Sequence, residues 1–314
     1  MAILKLKPAC KDYLWGGHRL AEEYGVEYDG PVLAEAWVLS CHPDGPSVIV
    51  NGAYAGKTLR EYMEAEGKGI LGTHCERFGE FPILTKFIDA KDNLSIQVHP
   101  SDEYALKEEG QYGKTEVWYI LDAEEGASLY YGFEKEISKE EFERRIKDNT
   151  LLEVLHSVPV CKGDIFFIEP GTLHAIGKGI LLAEIQQNSN VTYRIYDYAR
   201  VGADGRQREL HIDKALAVTE RKPKGKTAGA YPHVADCEYF TVDKLDLDGR
   251  IMSTAGGTVG KESFLSVLIL DGKGTIRNGE EQISYQKGDS LFLPAGSGDW
   301  KIEGRCDALL TTIR

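Results

Sequence analysis

Two segments of this chain repeat one pattern. Lys162–Gly171 reads KGDIFFIEPG and Lys287–Gly296 reads KGDSLFLPAG: a Lys-Gly-Asp turn, a short apolar run that suits a strand, and a second turn at glycine. Upstream of each copy, Val117–Asp122 is echoed by Ser266–Asp271. A chain that carries one strand-and-turn frame twice is expected to fold as two related β units. Aligning the copies sets Asp299 opposite His174 and Leu265 opposite Glu116. The second copy keeps the frame and lacks the polar residues of the first.

In the first copy those polar residues have company. Leu94–Pro100 reads LSIQVHP, and on a strand the period of two places Ser95, Gln97 and His99 on one face with Leu94, Ile96 and Val98 on the other. Lys114 and Glu116 share a face by the same rule, and the turn Gly171–His174 supplies a second imidazole. Gln97, His99, Glu116 and His174 thus form a candidate metal site. Two imidazole nitrogens and two oxygens suit one borderline divalent ion per chain, zinc foremost, at about 2.0 to 2.2 Å per bond. Without Gln97, the other three would make the two-histidine, one-carboxylate triad of an iron-dependent oxygenase. Gln97 itself, and the basic residues nearby, argue against that alternative. His42, between Cys41 and Pro43, has no coordinating neighbour and reads as structural.

Composition narrows the partners. A net charge of −13 opposes nucleic acid and anionic membrane surfaces, which need concentrated Lys and Arg. An anionic small molecule would require a local basic pocket. The six cysteines are scattered with no close pair, which fits reduced thiols in the cytoplasm better than a disulfide framework. No apolar run is long enough to span a bilayer, and Met1–Lys7 lacks a signal-like apolar region. The expectation is a soluble, unexported cytoplasmic protein, a monomer or weak homodimer.

Along the chain, Ile3–Val50 reads as short strands and turns, with Trp15 and Trp37 as core residues. Thr58 followed three residues later by Glu61 is a capping box, predicting a helix that ends near Gly67. Ser101 caps a short helix to Glu109, ended by Gly110. Ser138 and Glu141 form a second capping box, opening a helical insertion near 138–155. Ile180–Tyr198 reads as one long strand; unbroken through Arg200, it would place Arg194, Tyr196, Tyr198 and Arg200 on one face. The segment Arg221–Lys226, with its three lysines, reads as a linker and marks a domain boundary.

At several of these segments the chain resembles known families. Lys-Gly-Asp before an apolar strand, then Pro-Gly-x-x-His, is similar to the cupin pattern, implying a mainly β fold of two jelly-roll barrels with small helical insertions near 58–67 and 138–155. The resemblance implies a metal-binding catalytic domain over 1–225 and a degenerate second barrel over 226–314. Leu94–Pro100, Lys114-Thr115-Glu116 and Gly171–Ala175 together resemble the motifs of the type I mannose-6-phosphate isomerases, in their short bacterial form. That implies a zinc enzyme interconverting mannose 6-phosphate and fructose 6-phosphate, with Gln97, His99, Glu116 and His174 as ligands. It also implies catalytic roles for Glu184, Arg194 and Lys114, and substrate contacts at Lys86, Ser95 and Arg200.

The reaction moves a carbonyl between adjacent carbons through an anionic cis-enediolate. A divalent ion held by three neutral ligands and one anion keeps positive charge for that species. Glu184 is a candidate general base, with metal-bound hydroxide and His99 as others. Glu184 could instead serve only as an ion-pair partner of Arg194 or Lys86. A non-catalytic sugar-phosphate-binding cupin is the alternative outside enzymes.

Overall fold

The computed structural model describes residues 3–202, 205–225 and 231–314. In chain order the strands before the linker are β1 (Leu4–Lys7), β2 (Ala9–Lys11), β3 (Glu35–Leu39), β4 (Val48–Ile49), β5 (Ile83–Ala90), β6 (Ile96–Val98), β7 (Glu116–Ala123), β8 (Ser128–Phe133), β9 (Leu155–Pro159), β10 (Ile165–Ile168), β11 (His174–Ala175), β12 (Ile180–Gln187) and β13 (Tyr193–Tyr196). After it come β14 (His233–Asp236), β15 (Thr241–Leu247), β16 (Thr254–Val259), β17 (Leu265–Asn278), β18 (Glu281–Gln286), β19 (Ser290–Leu293) and β20 (Gly298–Thr312). All pairings among the described residues are antiparallel, and the fold is mainly β, as the resemblance to the cupin pattern implies.

The first barrel is built from two sheets, β10-β7-β12-β5-β3-β2 and β13-β6-β11-β8-β9. Side chains from both, among them Ile88, Trp118, Leu129 and Tyr131, share one core. The pleat decides which residues reach the interior. On β12, Ile180 and Leu182 point into that core, while Leu181, Ala183 and Ile185 face the opposite way, toward the second barrel. Both faces of this sheet are therefore buried. Phe81, Phe264 and Phe292 stack in the layer between the barrels, with ring centroids 5.4 and 5.0 Å apart along the series.

The second barrel is a single sheet, β14-β15-β20-β17-β19-β1-β4, with β16 on β20 and β18 on β17. Its two long strands, β17 and β20, shift register between Ile269 and Asp271, a bulge of the kind that lets a strand turn from one side of a barrel to the other. The chain's own first strand takes part: Leu4 pairs with Phe292 and Leu6 with Ile49. Hydrogen bonding thus ties the start of the chain to the second barrel. Lys226, at the expected boundary, lies outside the described residues.

Local signals place the helices. Thr58 accepts from the Glu61 amide and Glu61 from Thr58, so the capping box forms and opens α-helix Leu59–Glu66. Ser101 caps Asp102–Glu108. The insertion near 138–155 is shorter than predicted: a helix covers Lys139–Lys147, a 3-10 turn covers Leu151–Val154, and Leu155 opens β9. Helices at Arg19–Tyr24 and Ile212–Val218 were not anticipated, and neither has a side-chain cap that the sequence would reveal. The long strand expected over Ile180–Tyr198 is two strands in different sheets, interrupted at 188–192.

Candidate active site

Three strands, β6, β7 and β11, bring the predicted coordinating residues to one point. His174 on β11 sits opposite Gln97 on β6, and Glu116 opens β7 beside Gln186 of β12. His99, Glu116 and His174 are each 1% exposed, and their ligand atoms lie within 4.8 Å of one another. Each imidazole is held by a backbone carbonyl: Val191 O lies 2.9 Å from His99 Nδ1, and Thr172 O 2.9 Å from His174 Nδ1. A carbonyl can only accept, so both Nδ1 atoms carry the proton and both Nε2 lone pairs face the shared point. Burial, reinforced by Lys114, pushes the His99 pKa down to about 3, and burial also lowers that of His174. Both are neutral, as coordination requires.

Glu116 is the anion of the cluster. Burial opposes its charge, but the Lys114 ammonium beside it outweighs burial and holds its carboxyl well below the usual range. Lys114 Nζ lies 2.9 Å from Glu116 Oε1, yet neither Glu116 oxygen nor His99 Nε2 has a partner in hydrogen-bonding geometry. Buried acceptors left so are costly. A cation among them removes that cost, so the donor set fits a metal ion.

Around this cluster the barrel interior is charged. Lys86 Nζ lies 3.0 Å from Glu184 Oε1 and 3.8 Å from Glu35 Oε2. Trp118 Nε1 donates to Glu184 at 2.9 Å and Trp37 Nε1 to Glu35 at 2.7 Å. Burial and the nearby Glu116 raise the proton affinity of Glu184; burial works against Lys86, but Glu184 and Glu35 keep its pKa above the usual value. By formal charge, the three carboxylates of Glu35, Glu116 and Glu184 outnumber the two ammonium groups of Lys86 and Lys114, so this interior lacks one positive charge. One divalent ion makes it net positive.

The cluster lies beneath a cavity of about 500 Å³, lined among others by Gln97, Lys86, Lys114, Glu184, Ser95 and Arg194. Arg194 Nε donates to Ser95 Oγ at 3.2 Å, and among the described residues no carboxylate is ion-paired with it. Burial and Arg208 lower its pKa. Trp15, expected as core, also lines the cavity. His42 accepts from the Asp44 amide at 3.1 Å, the structural role expected of it.

Arg200 departs from expectation. It bonds Asp197 and the carbonyl of Asn93 and is not on the cavity wall. The strand ends at Tyr196, and Tyr198 and Ala199 take left-handed φ of 55° and 53°, so the alternation that would have aligned Arg200 with Arg194 is lost. Glu184 pairs with Lys86 and not with Arg194. Arg208, Lys214 and His211 are on the wall instead, beside Glu35, Glu109 and Asp44. Arg208 also binds Asp197, at 2.6 and 2.8 Å. Glu35 was legible as the neighbour by pleat of Trp37; Arg208 lies outside any strand or helix and carries no periodic signal.

A buried two-histidine, one-carboxylate cluster able to hold a metal ion, inside a β-barrel and next to a cavity of mixed charge, places the chain in the cupin class of enzymes. Residues 3–127 match the family described as phosphomannose isomerase type I, catalytic domain, and residues 231–313 that described as mannose-6-phosphate isomerase, cupin domain. The chain is 40% identical over 304 residues to the mannose-6-phosphate isomerase of Streptococcus mutans, covering 93% of this chain and 92% of the relative. It is 38% identical to mannose-6-phosphate isomerase ManA of Bacillus subtilis, covering 99% and 98%. A crystal structure of the mannose 6-phosphate isomerase from Bacillus subtilis superposes with a TM-score of 0.90 at 35% identity, covering 99% of each chain. The chain belongs to the type I phosphomannose isomerases.

Proposed function

We propose that this chain interconverts mannose 6-phosphate and fructose 6-phosphate with one zinc ion held by Gln97, His99, Glu116 and His174. The observation that carries the reading is the set of buried Glu116 and His99 acceptors without a hydrogen-bond partner, with Lys114 as the one cation beside them, beneath a cavity lined by lysine and arginine. Gln97 completes the donor set. Its amide nitrogen stands 3.4 Å from His174 Nε2 and its oxygen 3.3 Å from Ser95 Oγ; a half-turn of the amide exchanges the two and turns the oxygen toward the imidazoles. When bound, the ion supplies Lewis-acid polarisation of the sugar carbonyl.

The remaining chemistry belongs to side chains. In the open-chain aldose the C2 proton must reach C1 and the O2 proton must reach O1. Glu184, its proton affinity raised by burial and Glu116 and its orientation set by Trp118 and Lys86, is the base proposed for the carbon proton. His99 is a poorer candidate, because its Nδ1–H is committed to Val191 and its Nε2 to the cluster. Lys114 and Arg194 supply fixed positive charge for the anionic enediolate. Lys86 keeps Glu184 ionised, and Ser95 orients Arg194. Arg208 and Lys214 are proposed to receive the phosphate, in the place first expected of Arg200. This is how a chain of net charge −13 takes an anionic sugar.

Among the described residues no helix is long and apolar enough to cross a membrane, and the six cysteines are unpaired, which supports a cytoplasmic setting. The proposed organisation is one domain over 1–225 and a second over 226–314, with β1 of the first pairing into the sheet of the second. The test supplies mannose 6-phosphate to metal-loaded protein and follows fructose 6-phosphate, oxygen uptake and bound metal together. Isomerisation without oxygen use is expected; binding without turnover, or oxygen consumption, would overturn the reading.

A further inference from the structure

Among the described residues the second barrel forms no metal-ligand cluster, but one of its side chains reaches the segment that carries Lys114. Tyr239 lies in the turn between β14 and β15, where Phe240 is fully buried in the layer between the barrels. The Cys237 amide donates to the Phe240 carbonyl, and Arg77 of the first barrel donates to the Glu238 carbonyl, so the turn is held from both sides. From it the Tyr239 hydroxyl donates to Asp102 Oδ2 at 2.9 Å. Burial and the Asp102 carboxylate raise the Tyr239 pKa, which keeps it a neutral donor.

Asp102 passes the contact on. Its other oxygen accepts from the Gly113 amide at 2.7 Å and from Gln187 Nε2 at 2.9 Å. Gln187 in turn accepts from the Thr115 amide at 2.8 Å through its side-chain oxygen. Gly113 and Thr115 flank Lys114, whose own amide donates to Pro100 O. A Cβ at Gly113 would come within 2.5 Å of the Asp102 nitrogen and 2.6 Å of Pro100 O, so this segment is pressed against the start of the helix with no slack. Asp102 is thereby the shared acceptor of three donors from three parts of the chain. Remove the phenol, and Asp102 keeps its two internal donors but loses the one that fixes it to the neighbouring barrel.

We propose that Tyr239 is a positioning residue of the isomerase: acting through Asp102 and Gln187, it fixes residues 113–116 and so sets the place of the Lys114 ammonium in the cavity. The inference rests on the isomerase reading above, and it gives the second barrel a part in the reaction. Tyr239→Phe keeps the ring and removes the hydroxyl, so folding is preserved. In the full-length, zinc-loaded protein this variant is expected to lower kcat about fivefold, the factor an ordinary net hydrogen bond is worth, with a smaller change in KM and unchanged bound zinc. Asp102→Asn should show the same pattern. The decisive readout is the double variant. In a Lys114→Met background, Tyr239→Phe should have no further effect on kcat, because the group it places is gone.

Unchanged kcat in Tyr239→Phe would overturn the proposal, as would a fivefold loss that simply multiplies with that of Lys114→Met, which marks a structural effect independent of Lys114. Absence of isomerisation in the unaltered protein would remove the reaction itself, and is read before any variant is made.

Discussion

The two barrels use one frame for opposite ends. In the first, the inner face of β12, β5 and β7 carries Glu184, Lys86 and Glu116. In the second, the corresponding interior is filled by Leu265, Val267, Ile269, Leu291, Ile302 and their neighbours, and by the chain's own Ile3. Leu265 stands where the repeat aligns Glu116. Asp299, opposite His174 in the repeat, is turned out to solvent and accepts from the Thr258 hydroxyl at 2.6 Å. The lesson is energetic. A buried set of charges tends to give a protein less stability than apolar residues of the same volume, so the barrel that keeps such a set keeps it for chemistry, and the barrel free of chemistry replaces it with a close-packed core.

The sharpest way to break the contrast is to write the second barrel's residue into the first. Glu116→Leu should abolish both metal retention and isomerisation, since it removes the only anion among the four donors and leaves Lys114 without its partner. Bound zinc by elemental analysis, alongside the coupled assay, checks this; a variant that still holds zinc would take Glu116 out of the ligand set. Arg194→Ala probes the cavity above the ion. Zinc should stay bound while kcat falls by about 10² to 10³, the range for losing one fixed donor to a developing oxyanion. Near-normal turnover would reduce Arg194 to a brace for Ser95.

A titration separates the barrels without mutation. His99 has its pKa pushed by burial to about 3, against about 6.5 in an unfolded chain. Between those values the unfolded state binds the proton that the folded state refuses, so stability is fully present above about 6.5 and is lost as pH falls toward 3. Glu116, depressed mainly by Lys114 against the effect of burial, adds loss of the same sign at the acid end. The metal-free protein should therefore show a urea midpoint that drops from pH 7.5 to pH 5. Zinc should shield the first barrel over most of that range by binding only the folded state. A midpoint flat across this window in the chelated protein would mean the imidazoles are not held neutral by burial.

What could be read from the chain and what could not follows the range of the interactions. The capping box at Thr58 and Glu61 forms as its spacing predicts, because all its partners lie within four residues. That Gln97 and His99 share a face was legible because a period of two, applied to a short run, places them together wherever the strand goes, and the fold sets His174 opposite Gln97. The expectation at Arg200 failed for the same reason: the period was carried past Tyr196, where the backbone turns left-handed at Tyr198 and Ala199. Arg208 could not have been found at all. It reaches the cavity from an irregular stretch, and only the folded chain shows that it shares Asp197 with Arg200 while facing the other way. Likewise the pairing of β1 with β19 joins residues at opposite ends of the chain, and neither segment alone signals the other.

The smallest effect is expected at Asp299, and it tests the comparison from its other side. If the second barrel has lost all trace of the site, the residue aligned with His174 should matter only through its surface hydrogen bond to Thr258. Asp299→Asn keeps an acceptor for that hydroxyl and removes a charge from an exposed position, so stability should move by less than about 0.5 kcal/mol, with kcat, KM and bound zinc unchanged. Chemical denaturation and the coupled assay are sufficient. A loss of activity here, with folding intact, would mean that the second barrel acts on the reaction by a route other than the Tyr239 contact, through the end of the sheet where β16 meets β20.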